Sequence, residues 1–364
     1  MAAYGDTGKG SGYNSYARVS SIIRKATQDE NPYLQFVTTE EVLGGSKKGD
    51  TIGITRKYDT TGGYPKSPLA EKSKIPVTDY VQDSVTLTLK EWGNRIDITE
   101  KLVKLSDFNE ADKAAEALRD EWARWLSALW VNKAKQTSIK YCPVSSTTSE
   151  VSDYYAANSH WQATVTEGEA FHCHIDGSDP GVASRIIGEP DLWNLLMVAR
   201  DLMKMKPLSG KFAKFGKYGL AINQITANNL MRNASIASAL NYANMGRGEN
   251  NPLFNGWLGQ YAGIGFILDT QNLTGATTAT TEAIFFGGDA VTQAWAVEPE
   301  IRADMGEGYN VSNDFGRDRG AAWYALGNYK FVGATTAAAV RAKLGRAIHI
   351  TSASSPTPTE DTLT

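Results

Sequence analysis

The stretch that most restricts the fold of this chain covers residues 106–137. Apolar side chains recur along it at alternating gaps of three and four residues, which is the spacing of one face of an α-helix. They are Phe108, Ala111, Ala115, Leu118, Trp122, Trp125 and Leu129. Charged residues occupy the other faces, so the pattern predicts that one side is buried. A helix of about 29 residues is roughly 43 Å long, and we expect it to act as the spine of the molecule.

A coiled-coil seam repeats apolar residues at a similar spacing, so it is the alternative to a helix lying on a sheet. The seam of a coiled-coil dimer normally takes leucine, isoleucine or valine, whereas this stripe carries the large indoles Trp122 and Trp125. The flanking sequence alternates as β-strands do. We therefore predict that the spine helix packs on a sheet.

Two stretches before the helix, residues 51–55 and 84–89, have a period of two and predict the strands of an antiparallel hairpin. Residues 58–74 between them hold a Gly-Gly pair, prolines and charges, and are predicted to form a wide polar tip. A lone two-stranded hairpin is marginally stable in water. We therefore expect this hairpin to lie on a surface that another molecule supplies. Residues 13–28 have a weak helical stripe and are expected to lie on a neighbour as part of an N-terminal arm.

The sequence after the spine divides into three parts. Residues 138–185 show no clear period and are predicted to be an insertion of uncertain structure. Residues 186–296 predict a compact α/β unit. Within it, Pro190 begins a helix that Pro207 stops, and Asn223 caps the helix that follows the strand at 219–222.

Short apolar runs at 264–268 and 283–286 predict buried strands in the same unit. Alternation then returns at 295–303 and at 321–332, which predicts a long antiparallel pair. Residues 346–351 predict one more strand, and the Ser-, Pro- and Thr-rich end from 352 is predicted to be a tail.

Composition and charge argue against a protein that binds nucleic acid through its phosphates and against a protein with a membrane-spanning helix. The formal net charge of the 364 residues is -3, and a protein that holds nucleic acid by neutralising phosphates needs a basic excess or patch. No run approaches the ~18 apolar residues of a membrane span, and no signal-peptide core is present. We expect a protein made in a cytoplasm, with Cys142 and Cys173 as thiols in a reducing compartment.

The sequence offers few groups for chemistry. His172, Cys173, His174 and Asp176 resemble a metal site, because alternate residues of a strand place both imidazoles on one face. No third ligand follows at a recognisable spacing, and a polar surface strand explains the same residues. We therefore expect no metal.

The other candidates lack the context that their chemistry requires. The glycine-rich stretches 8–12 and 246–248 do not follow a strand and open a helix as a phosphate loop does, so they predict a flexible linker and a turn. No serine lies in a nucleophile elbow, and four histidines assemble no general-base constellation. The sequence predicts no catalytic, cofactor-binding or metal-binding residue, and therefore a protein that is not an enzyme.

One segment resembles a known family. Residues 251–256, Asn-Pro-Leu-Phe-Asn-Gly, continue through Leu-Gly-Gln-Tyr-Ala-Gly-Ile at 258–264 and resemble the major capsid proteins of tailed bacteriophages. The resemblance is closest to the podophage N-four type of coat protein and covers residues 35–335. Further pieces in the same order are Gly49-Asp50-Thr51-Ile52, Leu69-Ala70-Glu71 with Ile75-Pro76, Trp92-Gly93 before Asp97-Ile98-Thr99, Phe285-Phe286-Gly287-Gly288-Asp289-Ala290, and Asp314-Phe315-Gly316-Arg317 before Gly327-Asn328-Tyr329-Lys330.

The resemblance implies an α+β chain with the Hong Kong 97-like coat fold. The implied parts are an N-terminal arm at 1–42, an extended hairpin loop at 43–97, a peripheral domain with the spine helix at 98–140, an uncertain insertion at 141–185, an axial α/β domain at 186–296, peripheral strands at 297–352 and a C-terminal tail at 353–364. Some coats of this fold crosslink a loop lysine to a neighbour's asparagine. The loop lysines here are Lys47, Lys48, Lys66, Lys72 and Lys74, but no matching motif carries the reaction over, and we expect them to be solvated.

The function implied by the resemblance is that of a major capsid protein. Such a protein self-assembles as hexamers and pentamers into the icosahedral head that encloses double-stranded DNA without sequence-specific binding. The implied location is the virion capsid, assembled in the cytoplasm of the bacterial host, with a portal and a scaffold or decoration protein as further partners and no membrane. A tail or adhesin component, suggested by the Thr-rich loops, is the alternative. An enzyme that uses His172 and His174 is the third hypothesis.

Overall fold

The computed structural model describes residues 32–42, 50–57, 68, 74–75, 82–105, 110–143, 160–163, 171–177, 185–209, 216–233, 235–236, 257–269, 271–273, 280–304, 318–341 and 343–353. Its strands are β1 (Thr38–Thr39), β2 (Thr51–Lys57), β3 (Gln82–Thr88), β4 (Lys90–Thr99), β5 (Lys140–Pro143), β6 (His160–Ala163), β7 (Phe171–His174), β8 (Tyr218–Ile222), β9 (Trp257–Tyr261), β10 (Ile264–Leu268), β11 (Thr280–Phe286), β12 (Val291–Asp304), β13 (Asp318–Phe331) and β14 (Ala347–Ala353). Its α-helices are α1 (Glu100–Leu105), α2 (Glu110–Ala134), α3 (Glu189–Met197), α4 (Gln224–Arg232) and α5 (Ala337–Arg341). A 3-10 turn covers Leu34–Phe36, and a π-helical turn, Val198–Leu202, continues α3.

The described strands form three sheets, and with the helices they confirm an α+β fold. A four-stranded sheet has the order β1-β12-β13-β4, and an eight-stranded sheet has the order β6-β7-β5-β14-β11-β8-β10-β9. The third sheet is the hairpin β2-β3. The long antiparallel pair predicted from the sequence is β12 with β13, and the register runs from Val291 opposite Phe331 to Asp304 opposite Gly320.

The spine helix predicted over residues 106–137 is α2, Glu110–Ala134. Its first half packs on the four-stranded sheet, where Leu118 is buried in one cluster with Ile98 and Trp323. The ring of Trp125 lies 5.0 Å from that of Trp323 and 5.1 Å from that of Trp92. The indoles of the stripe therefore pack on a sheet, as predicted.

The second half of α2 crosses to the eight-stranded sheet. Trp130 is fully buried in a cluster that includes Ile284 and Phe286 of β11. Its ring centroid lies 5.0 Å from that of Phe286, edge to face. The single helix therefore packs against both large sheets and joins their cores, which is the role expected of a spine.

The other face of the eight-stranded sheet carries α3 and α4. Leu192 and Leu195 of α3 and Leu230 of α4 are buried in its main cluster. The cap predicted for α4 is confirmed, because Asn223 Oδ1 accepts a hydrogen bond of 2.9 Å from the amide of Thr226. Both faces of this sheet are covered, which explains why its strands have continuous apolar runs.

The structure corrects the prediction for residues 138–185. Strands β5 and β7 of this region pair antiparallel with each other, and β6 continues the same sheet. Tyr141, Phe171 and Cys173 are buried in the core of the eight-stranded sheet. The described part of this region is thus integral to the sheet. Each strand has only four residues, which is too short for a period to be seen.

The last strand also lies elsewhere than the sequence suggests. Residues 297–352 are predicted to complete the peripheral domain, but β14 lies inside the eight-stranded sheet, antiparallel to β11 and parallel to β5. Ala347, Ile348 and Ile350 are fully buried there. The predicted limit between 296 and 297 also falls within β12, so this boundary cuts a continuous strand. The alternating sequence predicts strands at β12 and β14, but it does not identify the sheet that each strand joins.

The arm prediction covers residues 1–42, of which 1–31 lie outside the described residues. Residues 32–42 dock on their own chain. Tyr33 is fully buried, its ring stacks on Trp130 with centroids 4.2 Å apart, and its hydroxyl donates to Asp269 Oδ2 at 2.5 Å. Burial, and then the charge of Asp269, raises the pKa of Tyr33 well above its ordinary value.

Candidate assembly surfaces

The predicted hairpin is confirmed, and its strands rest on their own chain. Strands β2 and β3 pair antiparallel from Thr51 opposite Thr88 to Lys57 opposite Gln82. Leu87 is 1% exposed and shares an apolar cluster with Ile54 and with Ala294 of β12. The expectation that only another molecule supports the hairpin is therefore wrong for these strands. Most of the tip predicted at 58–74 lies outside the described residues.

Arg56 hydrogen-bonds the hairpin to the residues that follow β13. Its Nη1 donates to the carbonyl oxygens of Val332 at 3.3 Å and Gly333 at 3.1 Å, and its Nη2 forms an ion pair with Asp83. The Arg56 side chain is only 12% exposed, so these bonds are largely shielded from water. Leu89 links β3 directly to β4, and its amide donates to the carbonyl oxygen of Asp50 at 2.7 Å. The hairpin base is thus fixed on the subunit at two places.

We expect Arg56→Met to lower the free energy of unfolding by about 1–3 kcal/mol, because two carbonyl oxygens and Asp83 lose a buried donor. Urea denaturation followed by circular dichroism measures the loss. The matched control is Arg302→Met, since the Arg302 side chain is 54% exposed and its ion-pair partner Glu300 is also exposed. Exposed ion pairs are worth roughly 0–1 kcal/mol. Equal losses in the two variants would contradict the role assigned to Arg56.

The four-stranded sheet presents a polar face with an open edge. Tyr324, Arg302 and Glu300 lie together on it, with the Arg302 guanidinium 4.1 Å from the centroid of the Tyr324 ring and Glu300 Oε1 accepting from Arg302 Nε at 2.8 Å. The Tyr324 hydroxyl donates to Glu91 Oε1 of β4 at 3.3 Å. Among the described strands, β4 has no partner on its other side. Mixed charge at an open sheet edge suits a contact that is specific and partly hydrated.

A second exposed surface lies on the helices of the eight-stranded sheet. Trp193 is 53% exposed and Met197, one turn later on α3, is 39% exposed. On α4, Ile225 and Met231 are 41% and 37% exposed. The ring of Trp193 meets that of Tyr261 edge to face, with centroids 6.2 Å apart. Trp193 and Met197 lie off the apolar stripe of the same helix, whose members Leu192, Leu195 and Leu196 are buried.

The structure also places the residues considered for metal binding. His172 and His174 are the half-buried residues of β7 and share one face, as strand geometry predicts, while Asp176 follows on the surface. No group of three metal-ligating side chains occurs among the described residues. Cys142 and Cys173 are buried and form no disulfide with each other, and burial raises the pKa of Cys173. A metal-free protein remains a prediction.

Several other candidates lie outside the described residues. They are the glycine-rich stretches 8–12 and 246–248 and the loop lysines Lys47, Lys48, Lys66 and Lys72. Lys74 is described and exposed, next to Ile75, which is 76% exposed. In the described part of the chain, no helix has the length and apolar character that crossing a bilayer requires.

No family model and no curated protein sequence matches this chain. Solved structures do match, over nearly its whole length. The capsid asymmetric unit of cyanophage Pam1 is 12% identical with a TM-score of 0.59, and the match covers 97% of this chain and 100% of that one. The capsid of Ralstonia phage GP4 is 13% identical with a TM-score of 0.58, covering 98% and 99%.

A third match is the head structure of Helicobacter pylori bacteriophage KHP40, at 13% identity and a TM-score of 0.54, covering 93% of this chain and 95% of that one. At such low identity the likeness concerns the path of the chain and the packing of its elements. This chain therefore has the Hong Kong 97-like fold of bacteriophage capsid proteins.

Proposed function

We propose that this chain is the major capsid protein of a tailed bacteriophage and that it self-assembles into the icosahedral head around double-stranded DNA. The observation that carries the proposal is the two-way coverage, because the match spans 97% of this chain and 100% of a solved capsid subunit. The more specific likeness to N-four type coat proteins stays a prediction.

The described surfaces support association through several separate contacts. The hairpin leads to a polar tip, the polar face of the four-stranded sheet ends, among the described strands, in the open strand β4, and α3 exposes Trp193 and Met197. Aromatic residues and methionine are enriched at protein interfaces. We propose hexamers and pentamers of this chain as the products, with a portal and a scaffold or decoration protein as further partners.

The division into domains is also part of the proposal, with the limits that the sheets suggest. The eight-stranded sheet, with α3 and α4, would be the axial domain and would include β5, β6, β7 and β14. The four-stranded sheet and the first half of α2 would be the peripheral domain. The arm would consist of the residues before 32, and the hairpin would be the extended loop.

The proposed relation to DNA is enclosure without specific recognition. The formal net charge of -3 gives the subunit no overall attraction for phosphates, so DNA driven in by an external motor would meet a wall that does not bind it tightly. We propose a structural and non-catalytic role, located in the virion capsid after assembly in the cytoplasm of the bacterial host.

Negative-stain electron microscopy of the purified protein tests the function directly. We expect closed shells of uniform diameter, or rings of five and six subunits that close into shells at higher concentration. Fibres or stacked open rings would instead favour the tail or adhesin alternative. A small monomer that retains zinc through His172 and His174 would favour the enzyme hypothesis and overturn the proposal.

A further inference from the structure

Four ionisable side chains meet where the spine helix ends and the chain enters the eight-stranded sheet. They are Lys135, directly after α2, Lys140 at the start of β5, Glu282 on β11 and His349 on β14. Lys140 Nζ lies 3.0 Å from His349 Nδ1 and donates to the carbonyl oxygen of Lys135 at 2.9 Å. On the other side of the imidazole, His349 Nε2 lies 3.5 Å from Glu282 Oε1.

The second oxygen of Glu282 is held by the other lysine. Lys135 Nζ forms an ion pair with Glu282 Oε2. The side chains of His349 and Glu282 are 12% and 14% exposed, and that of Lys135 is 25% exposed. The cluster therefore links the end of α2 to three strands of the sheet in surroundings with little water, where charges interact strongly.

The contacts determine which imidazole nitrogen carries the proton. An ammonium group has three donors and no acceptor, so Nδ1 of His349 must be the acceptor of the Lys140 hydrogen bond. The proton of the neutral ring then resides on Nε2, on the side of Glu282. These contacts therefore favour the neutral form of His349, with Nδ1 accepting a hydrogen bond from the Lys140 ammonium group.

Protonation of His349 cannot be accommodated in this arrangement. A second proton on Nδ1 would point at the Lys140 ammonium 3.0 Å away, so the hydrogen bond is replaced by repulsion between two cations. Lys140 must then move away from His349. Its bond to the Lys135 carbonyl oxygen, which holds the turn after α2, is the contact that this movement strains.

We propose that His349 is a proton-sensitive latch, which holds the end of the spine helix on the eight-stranded sheet while it is neutral and releases Lys140 when it is protonated. Charged and titratable groups of the described residues face it from three elements, and one more lies on β7. Glu282 faces it from β11, Lys140 from β5 and Lys135 from the end of α2, while His174 of β7 is the register partner of Lys140. The latch belongs to the subunit itself, so it does not depend on the proposed shell.

The direction of the pH effect follows from the electrostatics. Burial lowers the pKa of His349 below its ordinary value of 6.5; Glu282 opposes this shift, while Lys140 and Lys135 add to it. The unfolded chain therefore binds more protons than the folded chain between the lowered pKa and 6.5. The stabilisation is fully present above pH 6.5 and is lost as the pH falls through the lowered pKa.

A separate group acts at lower pH. Although burial opposes ionisation of Glu282, its hydrogen bonds to His349 and Lys135 lower its pKa below 4.5. Stabilisation from Glu282 is thus lost only as the pH falls below 4.5. A measurement at pH 5.5 and above therefore contains little contribution from Glu282.

The test compares thermal unfolding midpoints of the full chain at pH 7.5 and pH 5.5, in the wild type and in His349→Gln. We expect the wild type to lose about 1–2 °C more than the variant on acidification, which for a chain of 364 residues corresponds to roughly 1 kcal/mol. Hydrogen exchange at residues 135–140 should rise on acidification in the wild type alone. The matched control is His172→Gln, another half-buried strand histidine, which should keep the wild-type response.

Lys140→Met provides a second variant in case glutamine disturbs the sheet. Without the ammonium, the NMR titration midpoint of His349 should rise toward 6.5, and the acid-dependent exchange at residues 135–140 should shrink. Equal pH responses in wild type and His349→Gln, or an unchanged His349 midpoint in Lys140→Met, would overturn the latch. Either result is obtained on unassembled subunits and leaves the proposed capsid function untouched.

Discussion

A chain in which residues 58–81 are replaced by Asn-Gly is expected to fold normally and to lose stable shells. Lys57 and Gln82 are the last paired residues of the hairpin, so a two-residue turn can close it without changing its register. The base keeps its own support from Leu87, Ile54 and Arg56. The length and polar composition of the removed segment suit a neighbour's surface.

The expected effect on assembly is large because each subunit would lose one contact and every contact is repeated throughout the shell. Apolar area removed from water contributes ~25 cal/mol per Å² before ordering costs are subtracted. Two melts measure the outcome: light scattering reports the particles, and circular dichroism reports the fold. The shortened chain should show an unchanged fold transition and little or no particle signal.

A point variant separates the contact from the length of the tip. Ile75 is 76% exposed within the subunit, and Ile75→Ser should weaken the particles partially while the fold transition stays in place. Shells of the shortened chain that are as stable as those of the parent would exclude the hairpin tip as a contact between subunits.

Trp130→Ala is expected to be the most destabilising single substitution of the subunit, at about 3–5 kcal/mol. The ring is fully buried, stacks on Tyr33 and packs edge to face on Phe286. The indole nitrogen has no hydrogen-bond partner among the described residues, so the ring contributes by packing alone. Its loss leaves a cavity at the point where α2 and residues 32–42 meet the eight-stranded sheet.

Urea denaturation of three variants tests this assignment. Trp130→Phe should cost clearly less than Trp130→Ala, because it keeps an aromatic ring and removes the buried nitrogen. Trp193→Ala is the matched control, since Trp193 is 53% exposed and surface substitutions usually change stability by about 0.5 kcal/mol or less. A loss at Trp193 as large as that at Trp130 would contradict the view that α2 is the structural centre of the subunit.

The elements that the sequence predicted well are those with a strong local signal. A seven-turn helix repeats its apolar spacing often enough to be recognised, and α2 was found within four residues of its observed limits. The hairpin strands and the pair β12–β13 alternate in sequence, so their antiparallel pairing could be predicted. The four-residue strands β5 and β6 were missed because so short a segment does not establish a period.

The candidate surfaces and the His349 cluster were less accessible to prediction. The sequence pattern indicates which side chains of a helix are apolar, but it does not tell whether they are buried. On α3, the apolar residues Trp193 and Met197 are exposed. Lys140 and His349 are 209 positions apart in the chain, and no local pattern distinguishes these residues from ordinary surface charges. Their proximity follows only from the parallel pairing of β5 with β14.

The sequence by itself determined the spine helix, the hairpin, the short buried strands and the long alternating strands. These features depend on residues that lie near each other in the chain. Only the tertiary structure decided which sheet each strand joins. It placed β14 between β11 and β5 and it buried Tyr33 against Asp269, 236 positions away. Hydrophobic burial has no direction and is satisfied by any apolar partner, so the choice among partners is made by how well the whole set of elements packs together.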